Sequence, residues 1–294
     1  METPLISIII PTLNRCDYLA LTLESVLNQT HRPIEVIVVD DGSIGNANRE
    51  LCNKYPEVSY VWIENSGGPA KPRNVGIEKA NGDFLAFVDD DDIWLPEKLQ
   101  KQIEVLNNHP GFGLVHGPCS VIDENGSLTS EIIGRSGDPM EKHGDVRMRM
   151  MGNWTLMMPT PLVRKELVLE VGRFNEEIPA ALEDVEFWVR CSFYTKFYFL
   201  DDLLVRYRKH SNNISSNQVK YLKLPLYLNE VRKKMLVINR INTVESAALM
   251  KNLGRMQLKM MKRGRVKVLR NMFTLDPFWF LKLNNLKVLA KSLT

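Results

Sequence analysis

Four consecutive acids, residues 89–92, come directly after the apolar run at residues 84–88. Such a run of β-formers is typical of a buried strand. Four like charges side by side raise the free energy of the folded state unless a cation lies among them. Oxygen ligands with no nearby Cys or His favour Mg²⁺ or Mn²⁺. The acids therefore predict a divalent-metal site, and the alternative is an acidic turn that caps a helix beginning near Ile93.

Polar segments follow two earlier apolar runs in the same way. Residues 11–15 follow the run at 5–10, and residues 40–43 follow the run at 34–39. Apolar residues at helical spacing separate the runs, and this strand–helix rhythm predicts a mostly parallel sheet with right-handed crossovers. Because ligands bind at the carboxyl ends of the strands in open α/β sheets, we expect the three polar segments to lie together at that edge.

The segment after the first strand limits which nucleotide sites are possible. Residues 11–15 contain no glycine, which excludes a Gly-x-Gly-x-x-Gly dinucleotide fingerprint there, and the chain has no Walker loop. What remains is a site that reads a nucleotide through a carboxylate and holds its phosphates through a metal. Asp40 or Asp41 is suited to accept a hydrogen bond from a base N–H. The alternative is that residues 40–43 are only a turn.

Length and composition bound the class of protein. The 294 residues, 44% of them hydrophobic, suffice for one large domain or for a domain with an appendage. The four cysteines are scattered without a Cys-x-x-Cys pair, which indicates neither a disulfide framework nor a zinc site and suits a reducing compartment. We find neither a secretory signal nor an apolar run as long as a membrane span. We therefore expect a cytoplasmic protein, which can work at the inner face of the membrane.

Charge is distributed unevenly along the chain. Residues 220–294 contain 17 Lys or Arg and three acids, a net charge of +14, whereas residues 1–219 carry −11. Gly264 and Asp276 divide the basic segment into about three predicted helices. Basic and large apolar residues together suit peripheral membrane association with anionic lipid, and the alternative is a helical appendage that packs on the rest of the chain or on a partner chain. No nucleic-acid-binding module accompanies the charge, so we expect no nucleic-acid partner.

Five motifs occur in an order that is specific as a combination. They are residues 7–15, 38–43, 72–76 and 87–94, and the pair Glu183-Asp184. In this order they resemble the family 2 inverting glycosyltransferases with the A-type fold, over about residues 5–216. The resemblance implies an α/β fold with a mostly parallel, Rossmann-like sheet flanked by helices. It also implies a nucleotide-sugar donor, most often a UDP-sugar, a divalent metal held by an Asp-x-Asp motif, and single displacement at the anomeric carbon.

The resemblance also implies roles for individual residues. Asp184 resembles the catalytic base, Arg73 the arginine that approaches the diphosphate, and Asp41 the aspartate that reads the base. Asp89 and Asp91 resemble the acids of the Asp-x-Asp motif, although four consecutive acids leave its register open by one residue. The residues implied for the nucleotide sugar are Pro11, Thr12, Asn14, Asp40, Asp41, Arg73, Asp89 and Asp90, and those implied for Mn²⁺ or Mg²⁺ are Asp91 and His210.

The chemistry of single displacement agrees with these roles. Inversion needs a base on the face of the sugar opposite the leaving diphosphate, to take the proton of the acceptor hydroxyl. Asp184, before a predicted helix at residues 185–193, can meet this requirement, and the alternative is that Glu183 and Asp184 form an N-terminal cap. For His210 the alternative is a solvated side chain.

Trp154 and Glu183 are the candidate acceptor contacts. Trp154 falls where acceptors bind in the family that the chain resembles, and an aromatic face can stack on a sugar ring, whereas the alternative is a core tryptophan. We expect the acceptor to be a saccharide or a lipid-linked saccharide, in the synthesis of a cell-surface polysaccharide or glycan.

The extent of the resemblance and the change in composition from Val219 onward divide the chain into two parts. Residues 1–218 are expected to form a catalytic domain, with a nucleotide-sugar-binding half at 1–115 and an acceptor-binding half at 116–218. Residues 219–294 are expected to form a basic helical C-terminal extension. The remaining enzymatic alternative is a metal-dependent nucleotidyltransferase or phosphohydrolase, because those enzymes also use clustered acids.

Overall fold

The structure of the protein, a computed structural model, describes residues 3–135, 137–211, 213–214 and 219–293. Its strands are β1 Ile6–Thr12, β2 Ile34–Asp40, β3 Val58–Trp62, β4 Phe84–Phe87, β5 Ile93–Trp94, β6 Phe112–His116, β7 Cys119–Ile122, β8 Leu128–Ile133, β9 Leu162–Arg164, β10 Lys196–Phe199 and β11 Val205–Arg208. Its α-helices are α1 Cys16–Leu27, α2 Ala47–Cys52, α3 Ala70–Lys79, α4 Lys98–Asn108, α5 Arg147–Met150, α6 Lys165–Val171, α7 Glu183–Cys191, α8 Leu224–Val237, α9 Thr243–Lys259, α10 Arg265–Leu275 and α11 Leu283–Leu293. Short 3₁₀ helices lie at Pro139–Lys142, Lys220–Lys223, Met261–Arg263 and Trp279–Leu281.

The larger sheet has seven strands in the order β10-β6-β9-β4-β1-β2-β3. β1 pairs in parallel with β2 and β4, β2 pairs in parallel with β3, and β6 with β10. Only β9, between β4 and β6, runs antiparallel to its neighbours in this described sheet. The prediction of a mostly parallel sheet is therefore confirmed.

Both faces of the central strands are buried, as their continuous apolar sequences predict. In β1, Ile9 belongs to the core on one face of the sheet, whereas Ile8 and Ile10 belong to the core on the other, following the two-residue period of a strand. α7 and α8 contribute Trp188 and Leu228 to the first core, and α1 and α4 contribute to the second. This double burial holds in place the strand ends from which the site is built.

A smaller sheet, ordered β5-β11-β7-β8, adjoins the four acids. β5 pairs antiparallel with β11, and the Trp94 indole donates a hydrogen bond to the Pro159 carbonyl at 3.0 Å. The alternative of a helix that begins near Ile93 is therefore wrong, because a long-range strand pairing holds Ile93 and Trp94. The predicted helix after Trp94 is present as α4, and it begins at Lys98 and ends at Asn108. The N-cap residue of α4 is Glu97, so the four acids do not cap this helix.

The C-terminal helices pack on the rest of the chain and on one another. Leu228 of α8 belongs to the same apolar core as Trp188 of α7. The described residues 219–293 contain four α-helices, not the predicted three, because Asn239 adopts a left-handed conformation (φ 57°) just after α8 and ends that helix. The predicted boundary at residue 218 lies outside the described residues.

Candidate active site

Three loops meet at the carboxyl edge of the larger sheet. Thr12 at the end of β1 is the register partner of Asp40 at the end of β2, and the Asp41 N–H donates to the Thr12 carbonyl at 2.9 Å. On the other side of β1, the Val88 N–H donates to the Ile9 carbonyl at 3.2 Å. The polar segments that follow these strands therefore lie together, as the parallel topology predicts.

Asp90 and Asp91 are paired with groups from distant parts of the chain. Asp90 accepts hydrogen bonds from the Thr12 hydroxyl at 2.8 Å and from Arg15 Nη1 at 3.1 Å. The same Arg15 nitrogen lies 2.7 Å from Asp91 Oδ2, and His210 Nε2 lies 2.9 Å from that oxygen. Burial, with the charge of Asp91, raises the pKa of Asp90 to about 7, although Arg15 and the Thr12 hydroxyl oppose the rise. The Arg15 guanidinium thus lies between Asp90 and Asp91, among the four acids where the sequence predicts a divalent metal.

Asp92 and Asp89, the other two acids of this loop, have different surroundings. Asp92 is fully buried and accepts a hydrogen bond from the Arg208 N–H at 2.9 Å, while its own carbonyl accepts one from the Thr22 hydroxyl at 2.8 Å. Burial, reinforced by the neighbouring carboxylates, raises the pKa of Asp92 well above its ordinary value. Asp89 keeps 32% of its side chain exposed and pairs with Arg73 at 2.7 Å. Residues 89–92, hereafter the acidic loop, are therefore chemically unequal.

The segment after β11 brings His210 to the acidic loop. The His210 ring stacks on Tyr18 with centroids 5.5 Å apart, and its backbone N–H donates to Asn213 at 2.6 Å. Arg208 Nε donates to the Asp91 carbonyl at 2.9 Å, and its guanidinium lies 4.9 Å from the centre of the Tyr18 ring. These contacts hold His210 beside Asp91, although 119 residues separate the two in the sequence.

The donor groups at this place fit a divalent metal that is completed by substrate. No group of three or more His, Cys, Asp or Glu side chains in the described part of the chain is arranged to hold a metal ion. Asp91 and His210 supply two donor atoms, and Mg²⁺ is usually bound by one or two carboxylates together with water and substrate phosphates. The pair therefore fits Mg²⁺ or Mn²⁺ bound jointly with a diphosphate, and no dedicated protein cage is needed.

Asp40 and Asp41 differ in how many of their carboxylate oxygens accept hydrogen bonds from the protein itself. Asp40 is fully buried and accepts hydrogen bonds from the Ser43 N–H and from the side chains of Asn48 and Tyr60, at 2.7 to 2.9 Å. These contacts leave no surface for a ligand, so direct binding of a nucleotide by Asp40 does not fit the structure. In Asp41, Oδ1 accepts from the N–H and the hydroxyl of Ser66, at 2.9 and 2.8 Å, while Oδ2 makes no hydrogen bond among the described residues.

The remaining residues implied for the nucleotide lie on the first loop. Pro11 and Thr12 are buried at the end of β1, where Thr12 holds Asp90. Asn14 is exposed and adopts a left-handed backbone conformation (φ 54°). Its side-chain oxygen accepts from the Ile44 N–H at 2.8 Å, and its own N–H donates to the Ser43 hydroxyl at 2.7 Å. Asn14 therefore ties the first loop to the second.

The motif at residues 72–76 links α3 to the segment before α7. Arg73 donates to Asp89 through one terminal nitrogen and to Glu183 through the other, both at 2.7 Å, and it exposes only 3% of its surface. Asn74 exchanges hydrogen bonds with the backbone of Phe174, donating to its carbonyl and accepting from its N–H at 2.9 Å each. The prediction that Arg73 approaches a diphosphate directly does not fit this geometry, because two acids already engage its guanidinium.

Asp184 lies in the first turn of α7, one residue after the buried Glu183. It is half-buried, and its Oδ1 accepts a hydrogen bond from the Val185 N–H at 2.8 Å. Burial and the charge of Glu183 raise the pKa of Asp184 to about 7, and Arg73 opposes the rise. The same two acids, after burial, raise the pKa of Tyr221 to about 12, so the C-terminal segment approaches the acid pair. The proximity of Tyr221 leaves no signal in the sequence.

The helix cap predicted as the alternative role of the acid pair is only partly present. The N-cap residue of α7 is Leu182, and Glu183 and Asp184 lie in the first turn. There the positive end of the helix dipole stabilises negatively charged side chains. Glu183 Oε2 accepts from the Leu182 N–H at 3.1 Å. Glu183 therefore combines a helix-terminal contact with the bond to Arg73.

A cavity of about 320 Å³ opens between the loop after β3 and the loop before α7. It is lined by residues 66–71, residues 176–180 and Glu183. Glu183 is only 1% exposed and its carboxylate is already bonded, which leaves little of it for an acceptor. The cavity adjoins Asp41 through Ser66, so it connects the predicted nucleotide side to the acid pair.

Trp154 lies in a different part of the molecule. Its ring stacks on His116 with centroids 6.0 Å apart, Lys142 Nζ lies 5.3 Å from the ring centre, and the side chain packs against the apolar core. None of its described contacts is with the acidic loop or the acid pair. The structure therefore favours the alternative of a core tryptophan over an acceptor contact.

Comparison with known sequences identifies relatives of the chain. A sequence profile for the family described as Glycosyl transferase family 2 matches residues 7–157, more than half of the chain. An uncharacterized glycosyltransferase of Haemophilus influenzae is 34% identical over 195 residues, which cover 65% of this chain and 73% of the relative. TuaG of Bacillus subtilis, which its name assigns provisionally to teichuronic acid biosynthesis, is 29% identical over 232 residues, or 75% of this chain and 85% of TuaG. The chain spans about a third of the length of the matching uncharacterized glycosyltransferases of Rickettsia felis and Rickettsia conorii.

Two solved structures share the fold. Residues 1–349 of S. aureus TarS, in complex with UDP-GlcNAc, align with a TM-score of 0.65 and 20% identity, covering 94% of this chain and 91% of TarS 1–349. The mannosyltransferase PcManGT of Pyrobaculum calidifontis, in complex with GDP-Man and Mn²⁺, aligns with a TM-score of 0.59 and 14% identity, covering 99% of this chain and 85% of PcManGT. At these identities the likeness concerns the fold alone.

Proposed function

Because the chain belongs to glycosyl transferase family 2 and has the A-type glycosyltransferase fold, we propose that it is a metal-dependent, inverting glycosyltransferase. It moves a sugar from a nucleotide-sugar donor to a saccharide or lipid-linked saccharide acceptor, in the synthesis of a cell-surface polysaccharide or glycan. The donor that we propose is a UDP-sugar. The observation that carries the proposal is the meeting of the acidic loop, His210 and Arg73, with Arg73 joining that loop to the acid pair of α7. The alternative of a nucleotidyltransferase or phosphohydrolase is set aside, because the family match is to glycosyltransferases.

In this proposal Asp41 reads the base. Its Oδ2 is the carboxylate oxygen that its own loop leaves available, and a carboxylate is a strong acceptor for a base N–H. Asp40 holds the turn that presents Asp41, and Asn14 holds the first loop against it. The UDP-GlcNAc bound to TarS, which shares the fold, supports a UDP-sugar as donor.

The diphosphate lies beside Asp91 and His210, which would hold Mn²⁺ or Mg²⁺. When bound, the metal supplies positive charge against the negative charge that develops on the leaving phosphate oxygen. The Mn²⁺ in the complex of PcManGT, which shares the fold, supports a divalent metal. Arg73 acts as a positioning residue, because it joins the acidic loop to α7 through Asp89 and Glu183.

Asp184 is the proposed general base. The acceptor hydroxyl oxygen forms a bond to the anomeric carbon while the bond from that carbon to the diphosphate oxygen breaks. The hydroxyl proton passes to the Asp184 carboxylate, and the nucleoside diphosphate leaves with the electron pair. A base with a pKa of about 7 matches this task, since it is ionised near neutral pH and still attracts a proton. Attack from the face opposite the leaving group inverts the anomeric configuration.

We also propose that the protein works at the inner face of the membrane, through the described residues 219–293, hereafter the basic tail. Buried Trp279 anchors a segment whose large apolar neighbours are exposed, among them Phe278 at 66% and Leu281 at 71%. Exposed apolar groups among many Lys and Arg suit insertion into an interface of anionic lipid. Among the described residues, none of the helices combines the length and the hydrophobicity that a membrane span requires.

The deciding experiment is a donor screen. Nucleotide release is measured for a panel of UDP-, GDP- and dTDP-sugars with Mn²⁺, Mg²⁺ or EDTA, in the presence of short saccharide and lipid-linked acceptors. We expect release with one nucleotide class, dependent on metal, and NMR of the product should show the inverted anomer. Folded protein that binds no nucleotide sugar under any of these conditions, or a product of retained configuration, would contradict the proposal.

A further inference from the structure

Arg15 is a cation that contacts two carboxylates of the acidic loop, and the proposed function gives it no part. It follows Asn14 at the end of the first loop, and 27% of its side chain is exposed. A single nitrogen, Nη1, contacts both Asp90 Oδ1 and Asp91 Oδ2. A guanidinium is always protonated in proteins. Arg15 therefore carries its charge between the two acids.

The position of Arg15 conflicts with metal binding in the absence of nucleotide. Arg15 Nη1 lies 2.7 Å from Asp91 Oδ2, the same oxygen that His210 Nε2 approaches to 2.9 Å. A divalent ion held by Asp91 and His210 would lie beside the guanidinium, and like charges at such a distance repel strongly in a partly buried site. Either the metal binds weakly or Arg15 moves away.

An incoming diphosphate removes this conflict. A guanidinium binds phosphate oxygens with paired hydrogen bonds, so the phosphates offer Arg15 a partner to replace Asp91. Arg73 is less suited to such an exchange, because it is 3% exposed and carboxylates hold both of its terminal nitrogens. Arg15 is more exposed, at 27% of its side chain, so a ligand can reach its guanidinium.

We propose that Arg15 is the resident counter-ion of the acidic loop and moves from Asp91 to the diphosphate when metal and nucleotide bind together. This inference rests on the proposed function. Its consequence is positive coupling, in which nucleotide strengthens metal binding because it draws away the competing cation, and metal strengthens nucleotide binding by the same factor. The free chain then binds metal weakly.

The test measures the affinity for Mn²⁺ by electron paramagnetic resonance of the free ion, with and without UDP, so that no turnover is needed. We compare the wild type, Arg15→Gln, Arg15→Lys and Arg135→Gln. Arg135 is a matched control, because it pairs with Asp201 at 2.7 Å on the surface. Without UDP, Arg15→Gln should bind Mn²⁺ at least about fivefold more tightly than wild type, and the effect of UDP on Mn²⁺ affinity should shrink by a similar factor. Arg15→Lys should retain most of the coupling, and Arg135→Gln should match wild type.

A gain in affinity distinguishes this role from a structural one, because a damaged site loses metal affinity. If Arg15→Gln is less stable, Mn²⁺ alone should raise its melting temperature more than that of wild type. Wild-type protein that binds Mn²⁺ with UDP, together with an Arg15→Gln variant of unchanged affinities and unchanged coupling, would overturn the inference and leave the proposed function standing. Wild-type protein that binds UDP but no Mn²⁺ would overturn the metal-dependent function and this inference together.

Discussion

The Arg73 guanidinium donates a hydrogen bond to Glu183 Oε1 at 2.7 Å, although 110 positions separate the two residues in the sequence. Both side chains are almost completely buried, and the Phe174 ring lies 5.5 Å from the guanidinium carbon. Because Arg73 also holds Asp89, this one side chain joins the acidic loop to the start of α7. The relative position of the proposed diphosphate site and the proposed base therefore depends on Arg73.

Replacing Arg73 should strongly destabilise the fold. In Arg73→Met, Glu183 stays buried without its cation, and breaking a buried ion pair by removing one partner costs about 3–5 kcal/mol. Urea denaturation measures the loss. Lys209→Met is the matched control, because the Lys209–Glu131 pair is exposed and should contribute about 0–1 kcal/mol. Equal stability of the two variants would show that the Arg73 pair is not structural.

Replacing Asp184 should remove chemistry and leave binding intact. Asp184→Asn keeps the shape of the side chain but cannot take up the acceptor proton, so kcat should fall by about 10²–10⁴. The Kd for UDP, measured by calorimetry in the presence of Mn²⁺, should stay close to that of wild type. Asp202→Asn, at an exposed pair with Lys101, is the control and should keep full activity. Loss of UDP binding in Asp184→Asn would instead place Asp184 in the donor site.

The rate should depend on pH through Asp184. Because its pKa is raised to about 7, the carboxylate is protonated and inactive as a base at lower pH. We therefore expect kcat/KM to rise with pH and to level off above an apparent pKa of about 7. The charge of Glu183 contributes to the raised pKa, so Glu183→Gln should lower it and shift the rising limb to lower pH. If the rising limb of kcat/KM in Glu183→Gln stays in place or moves to higher pH, the charge of Glu183 does not raise the pKa of Asp184.

Gly76 should not accept a methyl group. A Cβ there would lie 2.4 Å from Ile9 Cγ2 on β1, so Gly76→Ala must push α3 away from the sheet at a cost of about 1–3 kcal/mol. Gly254 in α9 is the control, because its nearest neighbour, Met272 Cε, would lie 3.6 Å away. There the better helix propensity of alanine should stabilise the protein by about 0.5–1 kcal/mol. Thermal denaturation should show a lower melting temperature for Gly76→Ala and a higher one for Gly254→Ala. A stabilised Gly76→Ala variant would refute the close packing.

The exposed apolar groups of the basic tail should support binding to anionic membranes. In a flotation assay, the wild-type protein should float with vesicles of phosphatidylcholine and phosphatidylglycerol. The bound fraction should fall in high salt, because salt screens the attraction between the basic tail and anionic lipid. Phe278→Ser with Leu281→Ser should weaken this binding about tenfold or more, because two large apolar side chains no longer enter the interface. Leu169, 58% exposed on α6, provides the control Leu169→Ser. Equal binding of both variants, or no binding by wild type, would contradict the membrane proposal.

Much of the site is predictable from local sequence. Continuous apolar runs predict strands buried on both faces, and parallel order places their carboxyl ends at one edge, so residues 11–15, 40–43 and 89–92 had to meet. His210 is also predictable as a neighbour of this edge, through the resemblance of the motifs. The strand at Ile93 and Trp94 is not predictable from local sequence, because local propensity carries no information about pairing with β11.

The sequence alone determined the class of fold, the family and the cluster of acids, because these depend on residue types and on spacings within a few turns of chain. Only the tertiary structure decided what each acid does. Asp92 is buried and accepts a hydrogen bond from the Arg208 N–H. Asp91 contacts Arg15 and His210. Asp89 pairs with Arg73, which also binds Glu183. Burial and charge partners govern carboxylate chemistry, and the fold supplies both from positions up to 119 residues away.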